Sequence, residues 1–287
     1  MISIAHGSFS ADIVPHIGGG LASYRYGEFD LFRPAGVEAL AEGNRFGIAC
    51  FPLLPFPGRI RDGRVGEVIL PANHPVTPYP LHGHGWLASW DLAGHQADSC
   101  WLRYRHKAGD WPWEYAANQL YRLSDCGLTI LLTLRNLSEQ PMPVGLGQHP
   151  YLPRGKGCRL ETPLSRVLWP ADDLVADQMR PVPAEWGFAP DHRVGSVALD
   201  HGFAGWSGGA DIVWDERPFR LRVSASAGGR FLQVYAPEGE DYFCVEPMTC
   251  MPNAVNWPGS AEESGLRLLA PGATASLECL FSVSTQS

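Results

Sequence analysis

The chain has 287 residues, 22 basic against 30 acidic side chains, a formal net charge of -8 and 45% hydrophobic residues. This is an ordinary globular composition on a chain long enough to bury most of its apolar surface. The acidic balance argues against nucleic acid or an anionic membrane as the main partner. No stretch approaches the roughly 18 apolar residues of a membrane-spanning helix. The opening MISIAHGSFSADIVPHIGGG lacks the basic start and apolar run of a secretory signal. Seven cysteines, Cys50, Cys100, Cys126, Cys158, Cys244, Cys250 and Cys279, are scattered without a C-x-x-C pair. They read as reduced, buried thiols of a cytoplasmic protein.

The 32 glycines and 25 prolines punctuate short segments that alternate with period two, the signature of strands. In chain order, GVEALAEG (36–43) is the one stretch that reads as a short helix or turn. WLRYRH (101–106) and NQLYRL (118–123) are candidate strands. LTILLTLR (128–135) puts Leu128, Ile130, Leu132 and Leu134 on one face. Residues 169–190 are Pro-rich and read as a long connection. FRLRVSA, RFLQVYA and DYFCVEP follow, and SLECLFSV (276–283) turns Leu277, Cys279, Phe281 and Val283 inward. Many short strands with Gly/Pro turns predict an all-β protein, a large antiparallel β-sandwich. With no fixed-period repeat and no low-complexity linker, residues 1–287 read as one domain.

Five segments place ionisable residues beside Pro, Gly and aromatics, at what read as strand ends. PLHGHGW carries His82 and His84, VGLGQHPYLP carries His149 and FCVEPMTCMPNAVN carries Glu246. FPLLPFPGRIRDG carries Arg59 and ALDHGF carries Asp200. Taken singly, His149, Arg59 and Asp200 read as structural or turn residues at least as readily as functional ones. Glu246 ends the run YFCV, so its carboxylate must be paired, hydrogen-bonded or shifted in pKa. His82 and His84 would share a face of a strand, which could suit a metal. No third ligand accompanies them, and no metal is expected.

Together, LHGHGW, QHPYL, LDHGF and VEPMTCMPNAVN resemble, in order and rough spacing, the motifs of the aldose 1-epimerases (galactose mutarotases). PLLPFPGRIRDGRV resembles that family's proline, asparagine-arginine and glycine segment, and YGEFDLFRPA stands where the family has its early strand pair. The resemblance covers nearly the whole chain. The sequence departs from the family at Gly58, where Asn is usual, and so lacks a side chain that would contact the sugar. It is also somewhat short for the family, which implies trimmed loops.

The resemblance implies a supersandwich with its site in a cleft on one sheet. It implies interconversion of the α and β anomers of a free aldose, with no cofactor or metal and a small-molecule sugar as partner, in a monomer or homodimer. By resemblance Glu246 is the base and His149 the acid. His82 donates to the sugar near its ring oxygen, and Arg59 and Asp200 bind hydroxyls. His84 reads as lining the cleft or standing behind it, and Trp86 as stacking on a sugar face or joining the core. Three alternatives stand beside this. One is a mutarotase of a phosphorylated or otherwise modified sugar, for which Arg61 and Arg64 are nearby cations. Another is a non-catalytic carbohydrate-binding protein. The third is a hydrolase with Asp200 and Glu246 as its carboxylate pair.

Overall fold

The computed structural model describes residues 1–285 except 156, 172, 187 and 189–191. Two antiparallel sheets, of 11 and 8 strands, carry most of the chain, with two small two-stranded ribbons beside them. The expected short helix is present at Val37–Glu42. The early strand pair is the hairpin of Gly20–Tyr26 with Phe29–Asp30.

Alternation sorts the side chains between layers. In Gly127–Asn136, the residues Leu128, Ile130, Leu132 and Leu134 are wholly buried. Leu277, Cys279 and Phe281 of the paired strand Thr274–Thr285 lie beside them. Leu232, Val234, Phe243 and Val245 of the larger sheet complete the same apolar cluster. Each fully buried Leu, Ile or Phe there contributes about 2 kcal/mol of transfer free energy. Polar side chains tie the two layers at fixed points. The Tyr24 hydroxyl donates to Phe281 O at 2.8 Å and accepts from Leu128 N at 3.0 Å. Gln148 Nε2 donates to Gln119 Oε1 at 2.9 Å, and Gln119 Nε2 to Gly19 O at 3.0 Å.

The opposite face of the larger sheet carries a second apolar cluster that includes Phe51, Leu53, Tyr151, Leu168 and Met248. The segment after the strand Cys50–Leu53 returns over this face, pinned by bridges Leu54↔Gly83 and Arg59↔Leu81. That covered face holds the site.

Three readings of the sequence are corrected. The stretch 169–190 is no plain connection: it contains the end of Arg166–Pro170 and the strand Ala176–Pro181 paired to it. Ala176–Pro181 is the last strand of the sheet, with Ala176 alone buried and Gln178, Arg180 and Pro181 exposed, so it has no buried alternation to betray it. Residues 172, 187, 189 and 190 of that stretch lie outside the described residues. His149 and Glu246 sit inside the strands Gly147–Pro153 and Tyr242–Met248, not at their ends. Six of the seven free cysteines are buried as expected, but Cys126 is exposed, in the turn after Tyr115–Ser124.

Candidate active site

Strand parity builds the floor of the site. In Tyr242–Met248, Phe243 and Val245 point into the core, so Cys244, Glu246 and Met248 take the other face. The register pairs Glu246 with Gln233 and Gln233 with Gly202. On the other side, the strand Gly147–Pro153 brings His149 against Glu246, Nε2 to Oε1 at 3.4 Å. Both side chains are almost wholly buried. A cavity of about 310 Å³ opens over them, lined among others by Arg59, His82, Asp200, Gln233, Tyr235 and Leu174.

Two aromatic rings pack against the imidazole of His149. Phe51 lies 4.5 Å from it and Tyr151 4.8 Å, with interplanar angles of 29° and 26°. Tyr151 is itself capped by the Arg33 guanidinium, which sits 4.2 Å over both Tyr151 and Tyr242 and donates to Phe46 O at 2.6 Å.

Burial pushes the Glu246 carboxyl well above its ordinary value; Asp200 adds to the shift and Arg59 opposes it. Loss of solvent likewise lowers His149 to about 3, with Arg33 contributing repulsion. Burial therefore favours the uncharged pair, carboxyl protonated and imidazole neutral.

His82 holds a left-handed backbone (φ 56), uncommon for a residue with a side chain. Two hydrogen bonds to one residue fix it: His82 N donates to Gly58 O at 2.8 Å and Gly58 N donates to His82 Nδ1 at 3.1 Å. With Nδ1 accepting, a neutral ring carries its proton on Nε2 and offers a donor. Burial, then His149 and Arg59, keep that ring neutral. Its plane stands at 88° to His149 with centroids 5.4 Å apart.

Arg59 Nη1 lies 3.6 Å from Asp200 Oδ2, and Gln233 Nε2 donates to Asp200 Oδ1 at 2.7 Å. The structure thus gathers Glu246, His149, His82, Arg59 and Asp200 around one cavity. It does not bring His84 or Trp86 there. The left-handed turn at His82 and Gly83 ends the alternation that would have put both histidines on one face. The His84 ring packs on His106 at 4.6 Å and near Trp111 at 6.4 Å. Trp86 is wholly buried, donates through Nε1 to Leu81 O and Gly83 O, and stacks on Phe51.

Sequence reasoning missed Gln233, Tyr235, Tyr242 and Arg33. Parity in RFLQVYA could have found the first two: Leu232 and Val234 face the core, so Gln233 and Tyr235 must face away. His149, Cys244 and Glu246 offer ligand atoms within 4.8 Å of one another, the only such metal-capable trio among the described residues. Binding there would require ionising a wholly buried thiol that burial and Glu246 already hold protonated, which opposes it.

Such a site on such a sandwich defines a class, and comparison with known proteins identifies it. Residues 1–282 match the family model described as aldose 1-epimerase. The chain belongs to that family. It is 29% identical to the uncharacterized Escherichia coli K12 protein YphB over 96% of each chain. A crystal structure from the same organism, provisionally named an aldose 1-epimerase, superposes with a TM-score of 0.91 at 26% identity over 99% of each chain. A galactose mutarotase-like protein from Clostridium acetobutylicum gives 0.89 at 19% identity, over 99% of this chain and 95% of its own.

Proposed function

We propose that the protein is a cytoplasmic mutarotase of a free, uncharged aldose, with Glu246 and His149 as its acid–base pair. The observation that carries this reading is the 3.4 Å approach of the two buried groups at the floor of the cavity. The carboxylate of Glu246 takes the proton of the sugar's C1 hydroxyl. The electron pair closes the C1=O bond, the bond from C1 to the ring oxygen breaks, and that oxygen takes a proton from His149. C1–C2 rotates. The hydroxyl then adds to the other face of the aldehyde while both protons return. No atom is gained or lost.

The pair carries one proton between two groups, on His149 while the ring is closed and on Glu246 while it is open. Burial favours the second arrangement, so it stabilises the state that holds the open-chain sugar. Hydroxyls donating to Glu246 replace part of the solvation it lost and allow the first. Each such group typically contributes on the order of 10²–10⁴ in rate. His82, with its donor on Nε2, suits a developing charge near the ring oxygen, and Arg59, Asp200 and Gln233 suit hydroxyl recognition.

Charge supports an uncharged substrate. Arg61 is tied to Asp173 through Nε at 2.6 Å and Nη2 at 3.0 Å, lies 3.6 Å from Asp177 and does not line the cavity. Arg64 is exposed and does not line it either. Arg59 already faces Asp200. A phosphate or sulfonate would find no second cation there among the described residues. The volume suits one sugar unit better than a polysaccharide.

The test is polarimetry on fresh solutions of pure α anomers of galactose, glucose, arabinose and glucose 6-phosphate, with His149→Ala and Glu246→Gln as controls. Acceleration of a neutral sugar, lost in both variants, is expected. Acceleration that survives in Glu246→Gln would refute the assignment.

A further inference from the structure

The cavity has two unlike ends. Side chains along its floor follow one row across the sheet: His149, Glu246, Gln233, then the position of Gly202. The next strand carries Leu168 beside Gly202, since Val167 pairs with Phe203. Leu168 leans over the glycine: a Cβ there would come within 2.6 Å of Leu168 Cδ1. Two strand spacings, roughly 10 Å, separate Glu246 from this point, the reach of one sugar ring with a van der Waals contact at each end. Pro170, Leu174, Val175 and Ala176 continue the wall that Leu168 begins.

This far wall is built at some cost. Leu174 is 60% exposed and left-handed (φ 62), unfavourable on both counts for a leucine. The Arg61–Asp173 pair holds it there. Asp173 Oδ1 accepts from Val175 N at 3.1 Å, and Leu174 N donates to Ala171 O at 3.0 Å. Val175 O accepts from Arg61 Nη2 at 2.8 Å and from Ala171 N at 3.1 Å, which occupies both of its lone pairs. The wall's side chains offer neither donor nor acceptor. A hydroxyl pressed against these side chains gives up water and gains no partner from them. The nearby acceptor that has no partner among the described residues, Gln233 Oε1, lies at the floor beside Gly202 and not on the wall.

We infer that the site selects deoxy sugars, in which the end of the ring remote from C1 carries hydrogen or methyl where the parent carries a hydroxyl. The Arg61–Asp173 pair is then a specificity-determining support, placing Leu174 without touching the substrate. The inference rests on the mutarotase reading, and binding separates the two.

The experiment compares glucose and galactose with their 6-deoxy forms and with 3- and 4-deoxyglucose, by polarimetry and by calorimetric titration. At least one deoxy sugar should show kcat/KM tenfold or more above its parent, the size expected of a single group in an apolar pocket. Parents equal to or better than every deoxy form would overturn the inference. Tenfold tighter binding of a deoxy sugar with no acceleration of any would support it while refuting the mutarotase reading. No binding of any deoxy form would overturn it. Leu174→Gln, on an exposed side chain, should bring the ratio towards parity; an unaltered ratio would remove Leu174 from the wall.

Discussion

Glu246 is where function and stability oppose each other. Its folded pKa lies above the ordinary value of 4.5 because the carboxyl is buried. The stability that the protonated form contributes is full below the unfolded value and is lost as pH rises through the folded one. Gln cannot ionise and does not suffer that loss. Glu246→Gln should therefore lower the rate by about 10²–10⁴ yet melt higher than the parent at pH 8, with the gap closing by pH 4.5. Thermal denaturation at both values is the check, and a gap independent of pH would contradict it. Gly58 gives a second prediction at this scale. Its φ of 65 admits the family's Asn, but a Cβ there would stand 2.5 Å from Pro252 Cβ and 2.7 Å from its Cγ. The missing Asn and the position of Pro252 are thus one feature. Gly58→Asn should cost about 1–3 kcal/mol by overpacking and disturb His82. Adding Pro252→Gly should recover much of the loss in a urea titration.

At the scale of the elements, the strand Gly147–Pro153 carries His149 on one face and Gln148 on the other. Gln148 reaches Gln119 in the opposite sheet, which reaches Gly19 O, and Cys50 Sγ stands 3.6 Å from Gln148 Oε1. This buried chain fixes the height of the strand that carries His149 over the core. Gln148→Leu should strand Gln119 Oε1, cost about 1–3 kcal/mol and lower kcat more than it raises KM, because it displaces His149 rather than a sugar contact. A variant with parental kcat and stability would show that the chain does not set the strand. The same strand shows what could be read from the sequence. Central strands such as Gly127–Asn136 announce themselves because water on one side and core on the other force period two. His149 and Glu246 lie in strands buried on both faces, where apolar and polar residues lose that rhythm, so they read as strand ends. Ala176–Pro181 was hidden for the opposite reason, being polar and exposed at the edge. His82 and His84 were separated by a left-handed turn, which a single sequence does not reveal.

Across the whole molecule, burial lowers six histidines, His74, His82, His84, His106, His149 and His201. A lowered histidine contributes stability above its unfolded value near 6.5 and loses it as pH falls towards the folded value, because the unfolded chain takes the proton first. Glu246 acts in the other direction, but it is one group against six. Stability should therefore decline from about pH 6.5 towards pH 4.5. His84 isolates one share of this decline. Burial, then His106, pushes it down to about 4, and its Nδ1 has no hydrogen-bond partner among the described residues. It packs among rings behind the site and does not line the cavity. His84→Phe fills that ring cluster and cannot titrate. It should gain about 1–2 kcal/mol on the parent at pH 5 relative to pH 8, read from urea midpoints, while mutarotation stays within about twofold. An unchanged acid decline would mean that this ring is not held neutral by burial. A large loss of activity would return His84 to the sugar site from which the turn at Gly83 has removed it.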